Sequence, residues 1–183
     1  MTDAHVVVLV TGISAAGKST VGDMLARRFD RAVHVQGDVY RRMVVAGRAD
    51  MTSAPSAEAW RQLRLRYSLG AATADAYFDA GFSVVVQDVV IGSILREYID
   101  MITSRPLCVV VLAPRADVAA AREASRAKRA YPPGFDGIGE LDGALRRETP
   151  DIGLWLDTSD QTPDQTVDEI VARAWDDARI DSG

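Results

Sequence analysis

Residues Gly12 to Ser19 read GISAAGKS, and this octapeptide constrains the chain more than any other part of it. Ahead of it runs His5-Val6-Val7-Val8-Leu9-Val10-Thr11, a continuous β-branched stretch of the kind shown by a strand buried on both faces. Behind it Val21, Met24, Leu25, Ala26 and Phe29 recur at helical spacing. A glycine-rich turn between a buried strand and a helix start points several backbone N–H groups, and the positive end of the helix dipole, at one spot. Lys18 adds a full charge there, and Ser19 adds a hydroxyl able to ligate Mg²⁺. The segment therefore reads as a cradle for a triphosphate, with Gly12, Ile13, Ser14, Ala15, Ala16, Gly17, Lys18, Ser19 and Thr20 as the nucleotide-binding residues. A turn that merely joins strand to helix does not account for the adjacent lysine and hydroxyl.

The rest of the chain alternates apolar β-rich runs with helical patterns. Strands are expected near 5–11, 32–36, 83–87 and 107–112, with a last short one at Leu154-Trp155-Leu156-Asp157, and this alternation argues for an α/β fold with a parallel sheet covered by helices. Thr162-Pro163-Asp164-Gln165 forms a capping-box start for a closing helix whose apolar face is Val167, Ile170, Val171, Ala174, Trp175 and Ala178. Trp155 and Trp175 read as core residues. Trp60, Leu63, Tyr67, Ala71, Ala74 and Phe78 predict one long, one-sided helix stopped at Gly81. The aperiodic stretch 46–55 before it is a loop, either covering an acceptor pocket or serving as an ordinary surface connection.

Composition narrows the function classes. A chain of 183 residues fits a single domain with an ample core. Its net charge of −5 leaves no basic excess to attract a polynucleotide, so nucleic acid is not expected as a partner. The only cysteine, Cys108, lies inside an apolar run and reads as a small core residue. No apolar stretch approaches the ~20 residues of a membrane span, and the N-terminus enters a strand directly, so a cytoplasmic location is expected and no membrane partner.

Phosphoryl transfer needs more than a phosphate cradle: a carboxylate near the metal, positive charge over the moving group and something to orient the nucleophile. Asp38 follows the second strand at the carboxyl edge of the sheet, where ligands of open α/β folds bind, and is a candidate general base; capping the next helix is the competing role. Asp88 follows the third strand, Ser83-Val84-Val85-Val86-Gln87, and either supports Mg²⁺ in a Walker-B role, hydrogen-bonds the acceptor or serves the loop structurally. Arg122, Arg126 and Arg129 share one helix face before Tyr131-Pro132-Pro133-Gly134, either as a lid over the phosphates or as a solvated cationic face in which Glu123 could pair Arg126. Arg41, Arg42, Arg146 and Arg147 are further cations without a place, and Thr158 and Ser159 either face the purine or form a plain turn. His5 and His34 share no metal-ligand spacing, and neither GxSxG nor HExxH occurs.

GISAAGKS, Gly37-Asp38-Val39, Val86-Gln87-Asp88-Val89-Val90-Ile91-Gly92, Arg122-Glu123-Ala124-Ser125-Arg126 and Leu156-Asp157-Thr158-Ser159 together resemble the chloramphenicol phosphotransferase-like family of small P-loop kinases. The resemblance implies a three-layer fold around a five-stranded sheet of order 2-3-1-4-5. It places ATP on the loop, makes Asp38 the base for an acceptor hydroxyl and makes the segment with Arg122 and Arg126 a short lid. Gln87 stands where the family carries an acidic residue, and 41–60 shows no match, so the resemblance does not transmit the acceptor. Gluconate-type, shikimate-type and nucleoside monophosphate kinases share the architecture.

The expectation is a single P-loop kinase domain over 1–183, with acceptor-side helices at about 41–80 and the lid and following helix at about 115–150. It would use ATP and Mg²⁺ to phosphorylate a hydroxyl of a small-molecule acceptor, antibiotic-like or metabolite. In that scheme Lys18 bridges the transferring group, Ser19 and Asp88 are the metal candidates, Asp38 takes the proton, and Arg122 and Arg126 close over the phosphates. Two alternatives stand beside it. One is a nucleotide kinase in which Arg41 and Arg42 clamp an acceptor phosphate, and the other is a nucleotide-dependent binder or switch with slow ATP hydrolysis.

Overall fold

The β-branched runs become strands of one sheet in the computed structural model, which describes residues 5–52, 54–125 and 137–180. Arg126, Arg129 and the Tyr131–Gly134 break lie outside the described residues. Strands β1 (Val7–Gly12), β2 (Ala32–Gln36), β3 (Ser83–Gln87), β4 (Leu107–Leu112) and β5 (Leu154–Leu156) run parallel in the order β2-β3-β1-β4-β5. The three central strands are buried along their whole length, which is why their sequences run apolar instead of alternating. A sixth piece, β6 (Arg179–Ile180), pairs antiparallel with Leu107 and Cys108. The sequence gives no sign of it, because two residues carry no period. It forms because β5 covers only Val110–Leu112 and leaves the amino-terminal half of the β4 edge to be paired.

Helices pack on the sheet in two groups. In one, α1 (Lys18–Ala26) lies against α7 (Pro163–Asp177) and over β2 and β3; in the other, α3 (Ala57–Asp79) lies over β2 and β3 between α2 (Gly37–Met43) and α4 (Ile94–Met101). Helix α5 (Ala116–Ala124) packs on α6 (Gly137–Glu148). The α7 start is the expected capping box: Thr162 accepts from the Gln165 amide, the Gln165 side chain accepts from the Thr162 amide, and Pro163 holds the first helical position. Ser56 caps α3 through the Ala59 amide, and Gly81, at φ 83°, ends it.

Two aromatic residues expected to be inward are not. Trp60 is 38% exposed, because the first turn of α3 borders the 44–52 loop, tied on by Gln62, and not the sheet. Trp175 is 46% exposed at the margin of the α7 stripe, with the Arg179 guanidinium over its ring. The remaining expected residues of α3 do face in: Tyr67, Ala71 and Ala74 are buried, and Leu63 and Phe78 are packed against the core. Cys108 is buried in β4, where burial pushes its thiol up to about 11, far from reactive range. Among the described residues no helix is long and apolar enough to cross a membrane.

Candidate active site at the carboxyl edge of the sheet

Parallel strands deliver all their carboxyl ends to one edge, and the topology parts there: β3 and β2 lie on one side of β1, and β4 and β5 on the other. The loop after β1 sits at that parting. Gly12 has φ 142° and presses on β4 so closely that a Cβ there would lie 2.3 Å from the Leu112 carbonyl oxygen. Ala15 holds φ 63°, a left-handed backbone costly for a residue with a side chain and the sort of strain that persists where the surroundings demand it. Gly17, at φ 96°, caps α1 with no side-chain bond, and the first turn carries no acid. The positive end of the helix is thus offered to a ligand with no side-chain cap or acid across it.

Lys18 is buried, and its Nζ donates to the Ile13 carbonyl at 2.7 Å, which keeps the ammonium on the loop. Ser19 and Thr20 are exposed, and Ser19 Oγ accepts from Gln87 Nε2 at 3.4 Å. Thr11 fixes the segment after β3 to the end of β1: its hydroxyl donates to the Val90 carbonyl at 3.0 Å and accepts from the Val90 amide at 2.9 Å.

That segment carries Asp88, which the structure places deep in the edge with its side chain 4% exposed. Oδ1 accepts from Arg66 Nη2 at 2.6 Å and from the Val89 amide at 2.7 Å. Oδ2 is buried with no partner among the described residues. It lies where a Cβ on Gly37 would be, 1.8 Å away, so Gly37 is glycine for room and not for backbone freedom. Burial raises the Asp88 carboxyl above its ordinary value against the pull of Arg66, the Val89 amide and Lys18; Asp38 pushes it the same way as burial.

Asp38 is the second residue of α2 and half exposed. The cap of that helix is Gln36, so Asp38 does not hold the capping position. Its carboxylate accepts from Arg42 Nη1 at 2.7 Å and faces Arg41 at 3.7 Å, while Arg41 also donates to Asp50 at 2.8 Å. Arg122, at the end of α5, donates to the Thr158 carbonyl at 2.8 Å, in the turn after β5. Ser159 in the same turn accepts from the Arg115 amide and donates to Asp157. Arg146 donates to the Ala113 and Pro114 carbonyls after β4, and Arg147 folds over Gly143. His34 lies over Gly22 with its ring nitrogen held down in pKa by burial, and His5 packs edge-on to Phe78.

The structure thus brings Gly12–Thr20, Asp38 and Asp88 to one edge, sets Arg122 on the β5 side, and leaves Arg126 outside the described residues. It adds Arg66, which the sequence analysis did not single out. Its signal was there: position 66 falls with Leu63, Tyr67, Gly70 and Ala74 on the inward stripe of α3, and a cation there needs a buried acid. Ser19, an exposed hydroxyl, and Asp88 are the metal candidates at this edge, and among the described residues no three His, Cys, Asp or Glu gather. This fits Mg²⁺, which rides mostly on phosphates and water, and not an ion held in an all-protein cage.

A family model described as an AAA domain matches residues 7–134. Among solved structures, an unliganded sugar kinase from Janibacter sp. HTCC2649 superposes with a TM-score of 0.68 at 20% identity, over 92% of this chain and 93% of that one. The tunicamycin resistance protein of Deinococcus radiodurans gives 0.64 at 14% identity, over 97% and 99%. The APS kinase of Mycobacterium tuberculosis in complex with AMPPNP and APS gives 0.61 at 18% identity, over 93% and 98%. At these identities the likeness is one of fold. No curated protein sequence matches the chain.

Proposed function

The chain belongs to the AAA domain family that its residues 7–134 match, and on that premise we propose that it is an ATP- and Mg²⁺-dependent phosphotransferase acting on a hydroxyl of a small molecule. The observation that carries this reading is the buried Lys18 on a strained loop at an acid-free helix start, with Asp38 and Asp88 across the same sheet edge. Three proteins of the same fold are by name a sugar kinase, a tunicamycin resistance protein and an APS kinase bound to AMPPNP, which supports an adenine nucleotide and a small acceptor. Within that range the motifs of this chain favour the chloramphenicol phosphotransferase-like group and an antibiotic-like or metabolite acceptor. Arg41 and Arg42 are taken up by Asp38 and Asp50, which disfavours a clamp for an acceptor phosphate.

The residues divide the work. The amides of Gly12 to Thr20 hold the phosphates, and Lys18 shifts from the Ile13 carbonyl to the charge that grows on the transferring oxygens. Mg²⁺, held by Ser19 together with the nucleotide, would supply further neutralisation of that charge. Asp38 receives the proton released by the acceptor hydroxyl as its oxygen bonds phosphorus and the bond to the ADP oxygen breaks. The lid falls to Arg122, from its seat at the turn after β5, and to Arg126 by its place in the sequence.

Incubating the chain with ATP, Mg²⁺ and a mixture of metabolites and antibiotics should give a product heavier by one phosphoryl group in the mass spectrum. Asp38→Asn should lose that product and keep nucleotide binding. Undiminished product from Asp38→Asn removes the base.

A further inference from the structure

We propose that Asp88 acts on the acceptor side of the transfer site and is not a metal ligand, and that Arg66 is the residue that positions it; the inference rests on the phosphotransferase reading above. Both bonds to the Asp88 carboxylate fall on Oδ1, one from α3 through Arg66 and one from the Val89 amide. They fix the plane of the group and turn Oδ2 toward Gly37, the residue immediately before Asp38. The Ser19 hydroxyl has Gln87, not Asp88, as its hydrogen-bond neighbour from β3. The carboxylate is therefore held to α3 through Arg66 and set against Gly37 at the start of α2, while the hydrogen bond at the Ser19 hydroxyl falls to Gln87.

Oδ2 is the telling atom. A buried carboxylate oxygen with no donor among the described residues costs free energy until something donates to it. Arg66 matches it: its Nε is also buried and has no partner among the described residues, and its side chain is 14% exposed. A donor and an acceptor that are both unsatisfied, held by one short ion pair beside Asp38, suit a molecule with neighbouring hydroxyl groups. One hydroxyl donates to Oδ2 and thereby orients the next toward Asp38, which takes its proton. The missing side chain at Gly37 is what lets Oδ2 lie directly beside Asp38, since a Cβ there would fall 1.8 Å from that oxygen. Because Arg66 and Asp88 neutralise each other, the wall they form adds no net charge to the site.

The test separates acceptor from metal. Acceptor KM and kcat are measured for Asp88→Asn, Arg66→Met, Arg66→Lys and Gly37→Ala, and calorimetry follows the binding of a nonhydrolysable ATP analogue as Mg²⁺ is varied. Asp88→Asn, Arg66→Met and Gly37→Ala should raise acceptor KM by about tenfold or more, the loss of a hydrogen bond to a charged group. Their affinity for the analogue and its Mg²⁺ dependence should stay within about twofold of the wild type, less than half a kcal/mol. Arg66→Lys, which keeps a cation beside Oδ1, should recover most of the KM. A fall in Mg²⁺-dependent affinity of about tenfold in Asp88→Asn, with acceptor KM unchanged, makes Asp88 a metal ligand and overturns the inference. So does an Arg66→Lys enzyme no better than Arg66→Met, or an unchanged KM in both, which would reduce the pair to a strut between α3 and the sheet. A wild-type chain that binds the analogue and phosphorylates nothing refutes the phosphotransferase reading instead. The calorimetric arm needs no acceptor, and it still decides whether Asp88 serves the metal.

Discussion

Lys18 combines burial with a bond to its own loop, so its removal tests function more than fold. Replacing it with alanine deletes one hydrogen bond to the Ile13 carbonyl, a stability cost of about 1 kcal/mol, while taking away the only side-chain charge on the phosphate cradle. Lys18→Ala should therefore melt within a few degrees of the wild type and show phosphoryl transfer down by about a thousandfold or more. Unreduced transfer would place the site elsewhere. At this scale the loop was legible because its spacing fixes its chemistry: glycines, lysine and hydroxyl are adjacent in the chain and stay adjacent in the fold. Asp38 was legible only as a position, since whether it caps α2 or stands free of the cap depends on where the helix begins. Arg66 and Asp88 were opaque as a pair, because what joins them is the packing of α3 on β3 and not any sequence pattern.

Helix and strand ends show which local interactions hold the elements that frame the site. Asp75, on the last turns of α3, gathers the loop after α4: its carboxylate accepts from the Thr103 amide and hydroxyl and from the Ser104 amide. Burial alone would raise its pKa, but the bonds from Ser104 and Thr103 win and lower it below 3.8. A carboxyl lowered in the folded state adds stability above its unfolded pKa and loses it as pH falls through the folded one. Asp75→Ala should thus cost about 1–2 kcal/mol at pH 7 in urea unfolding, and the gap from wild type should close as the pH drops below 3.8. A gap constant with pH would mean that the carboxylate charge is irrelevant. At the other end of the chain, Thr162→Ala removes half of the α7 capping box and should cost about 1 kcal/mol with no effect on nucleotide affinity. The capping box, the long helix and the buried strands were readable because each is a local pattern. The exposure of Trp60 and Trp175, and the existence of β6, were not, because each depends on what the neighbouring element leaves uncovered.

Over the whole molecule, the parallel order β2-β3-β1-β4-β5 turns five separate strand ends into one functional edge. The alternation of runs gave the parallel sheet, and the family resemblance gave the strand order. What the fold contributes beyond that is opposition: the loop between β1 and α1 shares its edge with a wall made by α2, α3 and the segment after β3, in which Gly37, Asp38 and Asp88 come together, and Lys18 is the loop residue that acts on the Asp88 carboxyl. The division predicts that nucleotide binding belongs to the first half alone. The direct measurement is calorimetry of the purified chain with a nonhydrolysable ATP analogue in the presence of Mg²⁺. The account predicts one site per chain, lost in Lys18→Ala and kept in Asp38→Asn. No heat of binding for any purine triphosphate, or equal binding by Lys18→Ala, would contradict it.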